Sequence, residues 1–297
     1  MTLSCSWESG EGRILRVFPR RTALTPVDAL AYVGFPPLDY PDPRLVSEVH
    51  ISVTWSWDTQ PTKGEPTPVA ERLFHAWSQY YPVVKLGGPA YGSPTPDFTP
   101  GLYVRQGAVF TSRGCNNSCE WCLVPGIEGP LRLLPVAEGW NILDNNLLQT
   151  SREHQERVYA MLKRQRHAAV FSGGLDARLV DDWVAEQLRQ LRIEQLFLAA
   201  DTDAALDALR GAVGKLSFLG RSKLRCFVLV GRENLWQARR RLDAVWDAGA
   251  MPFAMLYQPP SEWIEYSIEW RQLRRAFSRP ATTKAVMRDR TAAIRWG

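Results

Sequence analysis

The chain is 297 residues long, 45% hydrophobic and 23% charged, with a formal net charge of +5. These values suit a folded globular protein and exclude a disordered chain; no run of about 18 apolar residues is present to form a membrane span, and the polar start lacks the apolar region of a signal peptide, so the cytoplasm is the expected location. Five cysteines are too few for a disulfide framework at this length, and in a reducing compartment a tight group of them points to metal binding or catalysis.

Residues 1–104 read as a small α/β domain, a Rossmann-like remnant. Strands are expected at 13–18, 30–34, 49–55 and 83–86. One amphipathic helix, 68–80, carries Val69, Leu73, Phe74 and Trp77 at helical spacing. The proline-rich stretch 91–100 reads as a linker.

From residue 105 to 260 short apolar runs alternate with amphipathic helices. Strands are expected at 108–111, 140–143, 168–171, 195–200, 225–230 and 253–257. Helices are expected at 153–164, 179–191, 202–213 and 234–246. Near-continuous apolar strands suit a parallel sheet covered by helices, so the expected class is α/β, a partial (β/α)6 TIM-like barrel. In such arrangements chemistry gathers at the carboxyl ends of the strands.

Residues 261–297 are expected to form a basic helix and tail, with Trp263, Trp270 and Leu273 turned inward and Pro280 ending the helix. Eight Arg or Lys stand against one acid between Trp270 and Gly297. The chain's basicity therefore belongs to its tail, which suggests an anionic partner there.

Three of the five cysteines, Cys115, Cys119 and Cys122, fall within eight residues in the run from Phe110 to Pro125, FTSRGCNNSCEWCLVP. Their thiolates can converge on one centre. Three such thiolates hold three corners of an iron–sulfur cube, whereas structural zinc needs a fourth Cys or His. His50, His75, His154 and His167 do not offer one at a local spacing. Cys226, inside the apolar run 224–230, reads as a buried small hydrophobe, and Cys5 as a free thiol.

This loop, placed after the first strand of a six-unit α/β series, resembles the cluster loop of the radical S-adenosylmethionine enzymes. The resemblance covers about residues 105–260. It implies that Cys115, Cys119 and Cys122 bind a [4Fe-4S] cluster whose open iron takes S-adenosyl-L-methionine. Reductive cleavage would then give a 5′-deoxyadenosyl radical that abstracts hydrogen from a substrate. Trp121 fills the motif's aromatic position, expected against the adenine. Asp144, Asn145 and Asn146 stand where the family often has Gly-Gly-Glu, toward the cosubstrate's amino group. Ser172, Gly173, Gly174, Asp176 and Arg178 at the third strand, Asp201 at the fourth and Gly231 at the fifth are the further expected contacts. Asn116, where many members have proline, and Glu120 are departures. An electron donor such as flavodoxin or ferredoxin is implied.

The segments Ile51–Thr54 and Leu86–Pro89 resemble parts of corrinoid-binding domains, but the D-x-H-x-x-G ligand motif is absent, so a remnant without cobalamin is expected. Two alternatives remain open at this point. One is a methyl transferase of the same superfamily, methylthiolation being disfavoured by the lack of further cysteine clusters. The other is a non-catalytic metal-containing protein that holds nucleic acid with its basic tail.

Overall fold

The structure, a computed structural model, describes residues 13–62, 64–92, 98–259 and 263–289. Cys5, Arg290 and Arg295 lie outside the described residues. The chain divides into two compact units, Met1–Thr95 and Pro96–Gly297. The division falls within the stretch expected as a linker.

The first unit is a parallel sheet of β1 (Ile14–Phe18), β2 (Ala31–Val33), β3 (Glu48–Ser52) and β4 (Val84–Gly87), in the order β2-β1-β3-β4. Between β3 and β4 runs α1 (Val69–Ser78), which buries Ala70, Leu73 and Trp77. These pack with Leu15, Val17, Val49, Ile51 and Val53 into the unit's own core. The Trp77 indole N–H would be costly to bury alone, and it donates to the Gly34 carbonyl at 3.0 Å. The expected strand–helix–strand passage is present as β3–α1–β4, with Ser52 opposite Gly87 at the carboxyl ends.

The second unit carries a six-stranded parallel sheet. Its strands are β5 (Ala108–Val109), β8 (Asn141–Ile142), β9 (Ala169–Leu175), β10 (Ile193–Ala199), β11 (Leu224–Val230) and β12 (Met251–Leu256), adjacent in sequence order. Each expected strand coincides with one of these. A two-stranded antiparallel ribbon, β6 (Ser112–Arg113) with β7 (Arg132–Leu133), branches off after β5. Each connection between neighbouring sheet strands steps to the adjacent one, and right-handed crossovers place the connecting helices on one face.

Three of those helices start where polar side chains cap them. In α3 (Arg152–Arg164) Ser151 accepts from the His154 N–H at 3.3 Å, and in α4 (Asp182–Arg189) Asp181 accepts from the Val184 N–H at 2.8 Å. The Asp181 cap explains why α4 begins later than the expected residue 179; Leu179 belongs to a preceding 3-10 turn. After α5 (Ala205–Lys215) and the short α6 (Gly220–Lys223), α7 (Leu235–Asp247) opens with an Asn234–Gln237 capping box.

The two faces of the sheet differ in chemistry. Leu196 and Leu198 of β10, with Leu224, Cys226, Val228 and Val230 of β11, point into the helix-covered core. A fully buried side chain of this kind stabilises the fold by about 1.5–3 kcal/mol. The alternate residues Phe197, Phe227 and Phe253 meet on the opposite face, Phe197 stacked on Phe227 at 4.3 Å. Cys226 is the buried small hydrophobe that its strand position implies.

Two corrections concern the carboxyl-terminal part. Trp270 and Leu273 do turn toward the core from α8 (Ile268–Ala276), but Trp263 is 47% exposed. Pro280 does not terminate the chain's last helix. It opens α9 (Pro280–Arg288), since proline at a first helical position gives up an N–H that has no helical partner anyway.

Candidate metal centre

The cysteine loop lies between β6 and β7, so the ribbon forms its stem. α2 (Val124–Glu128) follows the third cysteine and delivers Glu128 back to that stem. Its carboxylate meets the Arg113 guanidinium at 2.9 Å, the Gly114 N–H at 3.0 Å and the Asn145 amide at 2.8 Å. The Arg132 guanidinium donates to the Glu128 carbonyl at 2.7 Å. Glu128 thus closes the loop's two ends on each other.

Beneath the stem is Asp144, 1% exposed. Its carboxylate accepts from the Thr111 N–H, the Thr111 hydroxyl and the Ser112 hydroxyl, each at 2.6 Å. Burial pushes its carboxyl up against these donors, which favour the ionised form. Asp144, expected toward the cosubstrate's amino group, thus commits its carboxylate to Thr111 and Ser112 and anchors the strand end that launches the loop. Asn145 is likewise turned to Glu128. Asn146 is buried, with its side-chain oxygen lacking a partner.

His154, expected outside the site, is buried and reaches the Thr111 hydroxyl at 3.2 Å through Nε2. Because that hydroxyl donates to Asp144, Nε2 must carry the proton. Burial, with Arg157 adding to it, holds the imidazole's pKa below its ordinary value. The unfolded chain therefore takes up a proton before the folded one does. We expect stability supported by neutral His154 above about pH 6.5, lost as pH falls below that. Denaturant titrations of the native chain and of H154Q at about pH 7 and about pH 5 check this; equal pH dependence in both would refute it.

Beyond its stem, the loop is fastened to segments that follow three of the next four sheet strands. After β8, Gln149 accepts from the Asn116 N–H at 2.9 Å and lies 3.5 Å from the Cys115 sulfur. After β9, Asp176 accepts from the Asn117 amide at 3.2 Å. After β10, Asp201 accepts from the Leu229 N–H at 2.7 Å. After β11, Arg232 pairs with Glu120 at 2.7 Å and lies over the Trp121 ring at 4.9 Å.

Asp176 and Arg178 do form the expected pair of opposite charges, an ion pair at 2.5 Å. Burial works to raise the Asp176 carboxyl, but the bonds from Arg178 and Asn117 outweigh it and leave it below its ordinary value. Asp201 goes the other way: burial raises it against the Leu229 N–H. Both carboxylates are thus engaged with the loop or its supports.

Ser172, Gly173 and Gly174 do not follow a strand ending at Phe171, as expected, but sit inside β9. Leu196 pairs with Phe171 and Leu198 with Leu175, so three residues of β9 bulge past one of β10. Gly174 supplies the positive φ of 88°. A Cβ at Gly173 would stand 2.0 Å from the Asp144 carbonyl oxygen, so the close backbone approach expected here is made by the chain itself. Gly231 lies under Tyr266, whose hydroxyl oxygen would be 2.4 Å from a Cβ there.

Cys119 and Cys122 are exposed and Cys115 is half-buried. Desolvation first, and then the neighbouring cysteines, push the Cys119 thiol up; desolvation and Cys115 do the same to Cys122, against the Val124 N–H. The three sulfurs therefore feel one another. Among the described residues, however, no group of three or more His, Cys, Asp and Glu side chains stands ready to hold a single metal ion. Sequence reasoning missed Glu128, Gln149 and Arg232, whose partners are remote along the chain. No helix among the described residues is long and apolar enough to cross a membrane. No protein-family model matches the chain, and no curated protein matches it.

Proposed function

We propose that the chain is a radical S-adenosylmethionine enzyme whose six parallel strands form the wall of a partial (β/α)6 barrel. The observation that carries this reading is the cysteine loop itself. It leaves the end of the first sheet strand, and it is tied through Gln149, Asp176 and Arg232 to segments that follow three of the next four. A loop so held presents its sulfurs at the edge where α/β folds gather their chemistry.

The donor set fits a [4Fe-4S] cluster: three thiols in one loop, two of them exposed. Corners of such a cube stand farther apart than ligands on one ion, and three of its irons need one cysteine each. Cys115, Cys119 and Cys122 would hold it, releasing their protons on binding. When bound, the cluster would supply the electron that cleaves S-adenosylmethionine. Arg232 lies over the Trp121 ring at 4.9 Å, and the Phe197, Phe227 and Phe253 face offers an apolar surface that disfavours water. A cytoplasmic flavodoxin or ferredoxin would be the reductant.

Anaerobic reconstitution with iron and sulfide tests the reading. We expect a brown protein with about four irons per chain that converts S-adenosylmethionine to 5′-deoxyadenosine under a strong reductant. A colourless chain holding stoichiometric zinc would sink it, and S-adenosylhomocysteine as the product would redirect it to methyl transfer.

A further inference from the structure

Arg225 occupies the amino-terminal end of β11, on the sheet face that the helices do not cover. It is half-buried, and its neighbours there are neutral: the Phe197 ring 5.6 Å from the guanidinium carbon, and the Gln195 amide. With that amide turned to satisfy both groups, its oxygen accepts from Arg225 Nε at 3.1 Å and Nη2 at 2.7 Å. Other arginines sunk into this unit behave differently. Arg113 meets Glu128, Arg239 meets Asp243, and Arg241 meets Glu233.

Taking a guanidinium out of water without a counter-charge is costly, and an amide recovers part of that cost. Burial accordingly disfavours the charged form of Arg225. The remaining demand is for an anion. A second guanidinium lies where it can share one: Arg279, exposed at the corner between α8 and α9, lines the same shallow crevice as Arg225, together with Met251, Pro252, Phe253 and Ser278. Among the described residues neither arginine has a carboxylate within ion-pair distance.

From a half-buried guanidinium whose polar partner is an amide, and an exposed arginine lining the same crevice, we propose that the amino-terminal edge of β11 and β12 is a binding site for a phosphate group. Two unit cations match a phosphate dianion in charge, and two forked donors match its several oxygens in geometry. The first turn of α9 adds the positive end of its dipole. Phe253 is among the residues that line the crevice. The site lies at the opposite strand ends from the cysteine loop and does not depend on the cluster.

Calorimetric titration of the full chain with inorganic phosphate, at ionic strength held constant with chloride, tests this. One molecule of phosphate is expected to bind per chain. R225Q and R279Q are each expected to weaken binding at least about tenfold, with R225K in between. Arg279 is exposed, so R279Q keeps the test valid even if R225Q disturbs the strand. A labelled single-stranded RNA lacking terminal phosphates distinguishes the source of the group. If both substitutions weaken the RNA and flatten its salt dependence, the phosphate belongs to a nucleic-acid backbone. If phosphate binding is lost while RNA binding is unchanged, it belongs to a small phosphorylated compound. Absence of phosphate binding at millimolar concentration, or binding indifferent to both substitutions, overturns the proposal.

Discussion

Cys119→Ala is expected to abolish the charge-transfer absorbance of the anaerobically reconstituted protein and to bring S-adenosylmethionine cleavage to background. Cys119 is exposed on the loop, so its loss removes a ligand without opening a core cavity. The fold should survive, with an unfolding midpoint close to that of the parent. Cys226→Ala should give the reverse pattern. Cys226 is completely buried among Leu198, Val228 and neighbouring core residues of the second unit, so its truncation leaves a small cavity at a cost of about 1 kcal/mol, while iron content stays unchanged. Retention of the absorbance in C119A, or its loss in a folded C226A, would show that the wrong sulfurs had been chosen.

Asp144→Ala should be among the most destabilising substitutions of the second unit. It strands the Thr111 N–H and two hydroxyls in a site closed to water. Each buried donor left unmet costs about 1–3 kcal/mol, so a loss of about 3 kcal/mol or more is expected. Asp144→Asn should cost far less. The amide oxygen can still accept from the Thr111 N–H, and the hydroxyls of Thr111 and Ser112 can rotate to accept from the amide nitrogen. Chemical denaturation of both variants, with iron content after reconstitution as a second measure, provides the check. Because Thr111 and Ser112 launch the loop, iron content should fall with stability in D144A. If D144A unfolded like the parent and lost only affinity for S-adenosylmethionine, Asp144 would be a cosubstrate ligand after all.

The contrast between Asp144 and the cysteines shows what the chain alone makes legible. Cys115, Cys119 and Cys122 stand out because they fall within eight residues. Asp144 was legible as a polar residue at a strand end, but not as one turned backward onto Thr111. That direction is set by how β8 lies beside β5, which no local pattern encodes. Glu120 illustrates the limit more sharply: it stood out as a departure from a motif, while its partner Arg232 lies 112 residues away. The bulge in β9 was invisible for a related reason, since Gly173 and Gly174 signal it only once β10 fixes the register.

By itself the sequence determined the six strands of the large sheet, the four longer helices between them, the burial of Cys226 and the position of the cysteine loop after the first of those strands. All of these follow from periods of two and 3.6 residues and from short spacings, which are properties of neighbouring residues. Only the tertiary structure decided that Asp144 and Asp176 hold the loop, that His154 supports Thr111, that α9 begins at Pro280 and that Arg225 shares a crevice with Arg279. Hydrogen bonds and ion pairs act over a few ångströms between groups that the chain alone leaves far apart, so their pairing is settled only when the strands are in register.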